Sequence, residues 1–211
     1  MFYILFMNNN NILAVVLAGG KSKRFGEDKN KVKLGNKTLL DHVLSKIINK
    51  FEEILIVSNQ NLEIKDLKDI IVIPDCLDDH GPLAGVLSSM KWIVENKKSY
   101  QWIATFPSDT PFFDPSIIEE YKKKIKLNES SLYFIKSNNK RHNIFGLWSI
   151  NLIKTLENDL IKNNFRKVEE WANKIGVETI DIDVKNFDPF FNINTKEDLV
   201  EAKKLLNKKN D

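Results

Sequence analysis

The sequence is poor in the residues that mark several common classes of protein. Its single cysteine, Cys76, cannot form an internal disulfide, and no spacing of cysteines and histidines is typical of a zinc site. The longest apolar run near the N-terminus, residues 12–18, is far shorter than the roughly 20 residues of a membrane-spanning helix. A formal net charge of +3 is too small to indicate nucleic-acid binding by itself. We therefore expect a cytoplasmic protein with neither a membrane nor a nucleic acid as its partner.

The overall amino-acid composition is that of a folded protein. The 211 residues are 42% hydrophobic, which excludes a disordered chain and is enough to bury a substantial core. The first seven residues are apolar and precede four asparagines, but no lysine or arginine comes before Lys21, so the segment is not typical of a secretory signal. We expect residues 1–11 to form a flexible tail, with Met7 as an alternative start to Met1, and residues 12–211 to form one domain.

Short apolar runs alternate with amphipathic segments through the first half of the chain, a pattern typical of βαβ units. Strands are predicted at residues 12–17, 54–57, 70–73 and 102–106, and helices at 39–51, 82–94 and 114–127. In the second half the prediction is a hairpin of residues 132–135 and 144–148, helices at 152–160 and 168–175, a strand at 177–182 and a helix after Thr195. The predicted fold class is α/β, with a mostly parallel, Rossmann-like sheet between two layers of helices.

A pair of glycines, Gly19 and Gly20, follows the first predicted strand. A Walker A loop would need a glycine where Val15 stands, and the dinucleotide fingerprint fails because the next glycine is Gly26. Open α/β sheets bind ligands at the carboxyl ends of their strands, where glycines let backbone N–H groups approach a phosphate closely. The pair indicates a phosphate-binding loop, with an ordinary turn between strand and helix as the alternative.

Basic residues are concentrated directly after the glycine pair. Seven cations and only two acidic residues lie between Lys21 and Lys37. Among them, Lys21, Arg24 and Lys29 can neutralise a polyphosphate that the glycines hold. A solvated, lysine-rich face is the alternative explanation of the same residues.

Two aspartates follow later strands of the predicted sheet. Asp75 ends the third strand and precedes the sequence Gly-Pro-Leu-Ala-Gly at residues 81–85, and Asp109 follows the fourth strand. An aspartate at this edge can hold Mg²⁺, which prefers oxygen ligands and shares them with substrate phosphates. Each aspartate alone can also be explained as a helix cap or turn residue. Because several such loops converge on one edge of the sheet, we favour a nucleotide site.

With these motifs the chain resembles the molybdenum cofactor guanylyltransferases, the nucleotidyltransferases that join GMP to molybdopterin. The resemblance covers residues 12–206 and rests on four motifs in order. They are residues 17–20 with Arg24, Asp28 and Lys29; Asp75 with residues 81–85; Pro107, Asp109, Thr110 and Pro111; and Asn192, Asn194 and Thr195. The first motif also occurs in related sugar and cytidine nucleotidyltransferases, so the resemblance depends on all four.

The resemblance implies a nucleotidyltransferase fold and a Mg²⁺-dependent transfer of GMP from GTP to molybdopterin, with release of pyrophosphate. It implies that Asp109 binds GTP and Mg²⁺, and we expect Arg24 and Lys29 to offset charge on the leaving pyrophosphate. The nucleotide contacts expected on this basis are Leu17, Ala18, Gly19, Gly20, Lys29, Ser58 or Asn59, Asp75, Gly81 and Asp109.

Several assignments within the resemblance are left open by the sequence. The loop before Lys29 is one residue short of the family pattern, which makes Lys31 an alternative to Lys29. Residues 141–143 lie where the family places groups that face the pterin, although a proline of that pattern is missing. Proteins that deliver the cofactor or mature molybdoenzymes are further partners that the family implies.

Two other functions remain compatible with the sequence. One is a nucleotidyltransferase of the same fold that uses CTP or a sugar phosphate. The other is a non-catalytic protein that binds a nucleotide or a cofactor. Outside the motifs, we expect Cys76 to be a small buried hydrophobic residue, and the four tryptophans to serve the core rather than to stack on bases.

Overall fold

A computed structural model describes residues 11–19, 31–62, 64, 69–77, 80–184 and 187–208. Gly20, Arg24 and Lys29, three of the predicted site residues, lie outside the described residues, as does the predicted tail except for Asn11. The described elements include every strand and helix that the sequence pattern predicts.

The structure contains nine strands and six α-helices within the described residues. The strands are Ile12–Leu17 (β1), Lys33–Leu34 (β2), Lys37–Thr38 (β3), Ile54–Val57 (β4), Ile70–Ile73 (β5), Trp102–Pro107 (β6), Leu132–Ser137 (β7), Lys140–Ser149 (β8) and Glu178–Asp181 (β9). The helices are Leu39–Ile47 (α1), Pro82–Glu95 (α2), Ile117–Leu127 (α3), Ile153–Ile161 (α4), Val168–Ile175 (α5) and Lys196–Lys208 (α6). The small β2–β3 hairpin was not predicted, because strands of two residues are too short to show an alternating pattern.

Seven strands form one sheet in the order β5-β4-β1-β6-β8-β7-β9. All neighbouring strands are parallel except where β8 lies between β6 and β7, antiparallel to both. The β7–β8 hairpin turns at Asn138 and Asn139, which both have positive φ, as a tight two-residue turn requires. The prediction of a mostly parallel sheet with a hairpin in the second half is confirmed.

Helices cover both faces of this sheet, as predicted. Along β1, Ala14 and Val16 face a hydrophobic core that α1 and α3 complete, whereas Leu13 and Val15 face a second core completed by α2, α4 and α5. Because β1 is buried on both faces, it has the continuous apolar sequence of a central parallel strand.

A third, smaller apolar cluster joins the β2–β3 hairpin to the C-terminal helix. Its buried members are Val32, Leu34, Leu39, Phe112, Ile193 and Ala202. Phe112 directly follows one of the sequence motifs and Ile193 lies within another, so this cluster fixes the loops that carry those motifs. None of the helices in the described parts of the chain is long and apolar enough to cross a membrane.

Candidate active site

The carboxyl ends of β1 and β6 lie side by side in the sheet. Leu17 pairs with Pro107, and the backbone N–H of Ser108 donates to the carbonyl oxygen of Leu17 at 3.2 Å. Gly19 and Asp109 each come two residues after one of these paired positions. The structure therefore places Gly19 and the Asp109 loop at the same edge of the sheet.

The carboxylate of Asp75 lies between two glycines at this edge. A Cβ atom added to Gly19 would be 3.2 Å from Oδ2 of Asp75, and one added to Gly85 would be 3.4 Å from Oδ1. The same Cβ on Gly85 would lie 2.7 Å from Leu17, closer than real Cβ atoms approach. Gly85 thus lets α2 pack directly against the end of β1.

The structure separates the roles of Ser58 and Asn59, between which the sequence could not choose. Ser58 is buried, and its hydroxyl accepts a hydrogen bond from the N–H of Gln60 at 3.1 Å, so it stabilises its own turn. Asn59 is exposed, and its side-chain oxygen accepts from the N–H of Asp75 at 2.8 Å. Of the two, Asn59 has the side chain that touches the Asp75 loop. Ala18 also joins this edge, since its N–H donates to the carbonyl oxygen of Val57 at 3.0 Å.

Gly81 begins the turn into α2 with a φ of +61°, a conformation that glycine adopts without strain. Pro82 follows in the first turn of the helix, where its missing N–H costs no hydrogen bond. The side chain of Ser88, six residues after Pro82 in α2, accepts a hydrogen bond from the N–H of Cys76 at 2.8 Å. The helix and the Asp75 loop are thereby joined. The expectation that Cys76 is buried is wrong: the residue is exposed, although its Sγ lies 4.0 Å from the carbonyl oxygen of Ala84.

The Asp109 loop contacts a segment that lies far away in the sequence. The hydroxyl of Thr110 is 3.1 Å from Oδ1 of Asp109 and 2.8 Å from Oδ1 of Asn192. The N–H of Ile193 donates to the carbonyl oxygen of Asp109 at 2.9 Å. Two of the motifs, 82 residues apart, therefore meet at the carboxyl edge of the sheet.

Metal-binding side chains are sparse in the described part of the chain. Within it, no group of three or more His, Cys, Asp or Glu residues could hold a metal ion. Besides the carboxylate of Asp75, the side-chain oxygen atoms at the edge come from Asp109, which is half-buried, and from Asn192, which is exposed. Such a set suits a hard cation that takes most of its remaining ligands from water or a bound phosphate.

A cavity of about 360 Å³ lies next to this edge. Its lining residues are Pro107, Lys140, Arg141, His142, Asn143, Ile144, Phe145, Lys167, Val168, Glu169 and Asn192. Lys140, Arg141 and Lys167 outnumber Glu169 and Glu170, the second of which pairs with Lys167 at 2.6 Å, so the walls favour an anionic ligand. Pro107 and Asn192 connect the cavity to the Asp109 loop.

Arg141 is held in the cavity wall by three contacts. It donates to Asn143 at 2.8 Å and to Asn173 at 2.9 Å, and it lies 3.6 Å from a carboxylate oxygen of Glu169. The sequence motifs pointed to residues 141–143 but not to Lys167, which has no motif around it and enters the wall only because α5 packs against β8.

The remaining predicted site residues come after Gly19 in the sequence. Gly20, Arg24 and Lys29 lie outside the described residues. Lys31, the alternative to Lys29, is exposed, and its neighbour Val32 packs in the third apolar cluster with Phe112 and Ile193.

Comparison with known proteins agrees with this architecture. Molybdopterin-guanine dinucleotide biosynthesis protein A from Archaeoglobus fulgidus has a TM-score of 0.73 and 22% identity, covering 93% of this chain and 99% of its own. Rv0371c from Mycobacterium tuberculosis, solved in complex with manganese, has a TM-score of 0.66 and 13% identity, covering 92% of this chain and 98% of its own.

The fold, with a glycine loop and two aspartates at one edge of the sheet, is that of a nucleotidyltransferase. A curated relative, the molybdenum cofactor guanylyltransferase of Rhizobium johnstonii, is 31% identical over 206 residues, which is 95% of each chain. The chain belongs to the MobA-like NTP transferase domain family, whose model matches residues 14–175.

Proposed function

We propose that this nucleotidyltransferase transfers GMP from GTP to molybdopterin and releases pyrophosphate. The observation that carries the proposal is the position of Gly19, Asp75 and Asp109 at one edge of the sheet, directly beside a cavity with positively charged walls. The name of the Rhizobium johnstonii relative supports the choice of substrates.

The nucleotide would occupy the part of the edge formed by β1, β4 and β5. Leu17, Ala18 and Gly19 provide backbone next to Asp75, and Gly20 is the next residue in the sequence. Asn59 is the better candidate for a contact with the base, because its amide already touches the Asp75 loop while Ser58 is turned inward. Gly81 supports these contacts by starting α2 with the backbone that the turn requires.

The residues at the edge fit Mg²⁺. The carboxylate of Asp109 and the side-chain oxygen of Asn192 are oxygen donors of the kind that Mg²⁺ prefers, and their small number leaves room for the triphosphate. We assign metal binding to Asp109. When bound, Mg²⁺ would offset the negative charge of the reacting phosphate groups.

Transfer needs no nucleophile from the protein. An oxygen of the acceptor's terminal phosphate attacks the α-phosphorus of GTP, the bond to the β-phosphate oxygen breaks, and pyrophosphate leaves with that electron pair. Catalysis then consists mainly of positioning and charge stabilisation. We propose that Arg24 and Lys29 offset the negative charge on the leaving pyrophosphate, with Lys31 as the alternative to Lys29.

The acceptor would lie in the cavity beside Asp109. Its walls combine cations for a phosphate with the apolar side chains of Ile144, Phe145 and Val168 for a flat ring system. Residues 141–143 contribute polar groups on the same side. This placement puts the acceptor phosphate next to the edge where the nucleotide is expected.

Pyrophosphate release measured with each of the four NTPs, with and without molybdopterin, tests the proposal. We expect release with GTP only, and only when molybdopterin is present. We expect Asp109→Asn to lower kcat at least a hundredfold, because its carboxylate acts on charge in the transition state, while Asp183→Asn, at an exposed position, leaves the rate unchanged.

Other outcomes of the same assay would replace the proposal. Release with CTP or with a sugar phosphate as acceptor would assign another nucleotidyltransferase activity. Binding of a nucleotide without release under any condition would indicate a non-catalytic protein. Near-normal turnover of Asp109→Asn would remove Asp109 from the mechanism.

A further inference from the structure

Three side chains from different segments meet behind the cavity wall, where His142 is the one that lines the cavity. Nε2 of His142 on β8 lies 2.7 Å from the hydroxyl oxygen of Ser137 on β7. The hydroxyl of Ser137 donates to Oδ1 of Asp188 at 3.0 Å, and Oδ2 of the same carboxylate is 3.6 Å from Nε2 of His142. Asp188 belongs to the segment that leads to Asn192 and α6.

The chemistry of these groups determines where the protons lie. A carboxylate can only accept hydrogen bonds, so the one hydroxyl proton of Ser137 points to Asp188. The Ser137 oxygen must then accept from His142, which places a proton on Nε2 and leaves Nδ1 without one. The hydrogen-bond network therefore selects one of the two neutral tautomers of His142.

Surrounding contacts hold this arrangement in place. The N–H of Phe190 donates to Oδ1 of Asp188 at 3.0 Å, and the ring of Phe190 packs on the imidazole of His142 with centroids 4.7 Å apart. Burial lowers the pKa of His142 below its ordinary value. The charge of Asp188 raises this pKa and the charge of Lys140 lowers it, and the net effect is a lowered pKa. The imidazole is accordingly neutral near pH 7, as the tautomer requires.

His142 also reaches the cavity. It lines the cavity although only 8% of its surface is exposed. Within the described residues, its hydrogen bonds involve Nε2 alone. A buried imidazole in a cavity wall, with one nitrogen fixed as a donor to the protein, leaves the other nitrogen to accept from a bound molecule.

We propose that Asp188 is a positioning residue: through Ser137 it fixes the tautomer of His142, so that Nδ1 accepts a hydrogen bond from an N–H group of the acceptor's heterocycle. The ligand class is an anionic heterocycle with a ring or exocyclic N–H donor. The part of this inference that concerns the acceptor rests on the proposed function, whereas the part that concerns the tautomer does not. The network thereby favours acceptors that carry an N–H donor at the right position, in addition to a negative charge.

The tautomer can be tested without any substrate. Nitrogen-15 NMR of the imidazole rings distinguishes a protonated ring nitrogen from a bare one, and His142→Gln identifies the signals of His142 among the three histidines. We expect the unmodified protein to show a protonated Nε2 and a bare Nδ1. We expect Ser137→Ala and Asp188→Asn to give a mixture of tautomers.

A matched control comes from a neighbouring carboxylate. Asp181 on β9 is exposed and lies 3.2 Å from Lys136, the residue before Ser137, but it has no contact with His142. Asp181→Asn should leave the His142 signals unchanged. A proton on Nδ1 in the unmodified protein, or unchanged tautomers in both Ser137→Ala and Asp188→Asn, would overturn the inference.

Steady-state kinetics test the contact with the acceptor. Loss of one hydrogen bond to a ligand should raise the KM for the acceptor about tenfold in Ser137→Ala and Asp188→Asn. The KM for GTP and the kcat should change little, and Asp181→Asn should behave like the unmodified protein. A merely structural role would instead change both KM values and the melting temperature together.

An unchanged acceptor KM in variants with altered tautomers would refute the hydrogen bond to the acceptor. If the unmodified protein transfers GMP to no acceptor, the proposed function fails, and the NMR spectra still decide the tautomer.

Discussion

Tyr121 brings a hydroxyl group into the core between α3 and the sheet. The residue is fully buried, its ring packs against Phe106 with centroids 6.5 Å apart, and no described residue is a hydrogen-bond partner of the hydroxyl. Burial raises the pKa of Tyr121, so the group stays protonated and still lacks an acceptor. An unsatisfied buried hydroxyl is a cost that a phenylalanine would not have.

We expect Tyr121→Phe to increase the free energy of unfolding by about 1 kcal/mol. Tyr133→Phe is the matched control, because that buried hydroxyl accepts a hydrogen bond from the N–H of Ser130 at 2.7 Å. Its removal should lower the free energy of unfolding by about the same amount. Urea unfolding of both variants measures the two changes, and a loss of stability in Tyr121→Phe would show that its hydroxyl has a partner after all.

Among single residues, the sequence identified those in motifs and missed those that act through distant partners. Asp75 and Asp109 could be found because each follows a recognisable strand. The contact of Ser137 with Asp188 spans 51 positions and involves residue types that are common on surfaces, so no local pattern indicates it. The choice between Ser58 and Asn59 likewise needed the direction of each side chain.

At the scale of elements, one carboxylate joins α4 to α5. Asp159 is almost fully buried and accepts hydrogen bonds from Asn163 at 2.7 Å, from the indole of Trp171 at 3.0 Å and from Lys174. Burial alone would raise the pKa of Asp159, but these hydrogen bonds outweigh it and hold the pKa below its ordinary value. Since α5 carries Val168 and the other cavity residues of that wall, this junction also supports the proposed acceptor site.

We expect Asp159→Asn to lower the free energy of unfolding at pH 7 by about 2 kcal/mol or more, because the ion pair with Lys174 is lost. The folded-state pKa of Asp159 lies below that of the unfolded chain, so its contribution is complete above about pH 4 and is lost as the pH falls through the folded-state value. The difference between the variant and the unmodified protein should therefore shrink in acid.

The control for this prediction lies on the same helix. Glu157 forms an ion pair with Lys91 at 2.6 Å, but both side chains are partly exposed. Glu157→Gln should change stability by less than about 1 kcal/mol. Urea unfolding at pH 7 and at successively lower pH measures both variants, and a pH-independent difference for Asp159→Asn would contradict the ionic explanation.

Element types were predictable because each buried strand is a short apolar run and each helix has an apolar stripe. The first and last residues of the elements were less predictable. α3 begins at Ile117 rather than at Asp114, because the carboxylate of Asp114 accepts a hydrogen bond from the N–H of Ser116 in a preceding turn. β8 begins at Lys140, four residues earlier than predicted, because its polar start is paired with β7. Polar residues in a paired strand carry no apolar signal.

At the scale of the whole molecule, the order of the strands brings the motifs together. The glycine pair, Asp75 and Asp109 follow three strands of the sheet in the sequence, and the segment before α6 brings Asn192 to the same edge. The mostly parallel sheet was predictable from alternating strands and helices. The cavity was not, because its walls come from β8, α5 and the segment before α6.

Binding of a ligand at this edge should stabilise the whole protein against unfolding. We expect GTP with Mg²⁺, at a hundred times its Kd, to add about 2.7 kcal/mol to the free energy of unfolding and to raise the Tm by roughly 5–10 °C. CTP at the same concentration should give a much smaller rise. Thermal unfolding followed by circular dichroism measures both, and equal rises would contradict the preference for guanine.

The only cysteine of the chain provides a local check on the same binding. Cys76 is exposed and directly follows Asp75, so alkylation of its thiol reports on this loop alone. We expect GTP with Mg²⁺ to slow the alkylation by iodoacetamide. A rise in Tm without protection of Cys76 would place the nucleotide elsewhere on the molecule.

The position of Asp75 between Gly19 and Gly85 also limits how the protein can be engineered. Replacing a helical glycine by alanine is a common route to thermostability, since it restricts the unfolded chain. At Gly85 the added methyl group would press on Leu17 and reach the carboxylate of Asp75. Efforts to make the enzyme more heat-resistant should leave α2 intact there and begin with the core around Tyr121.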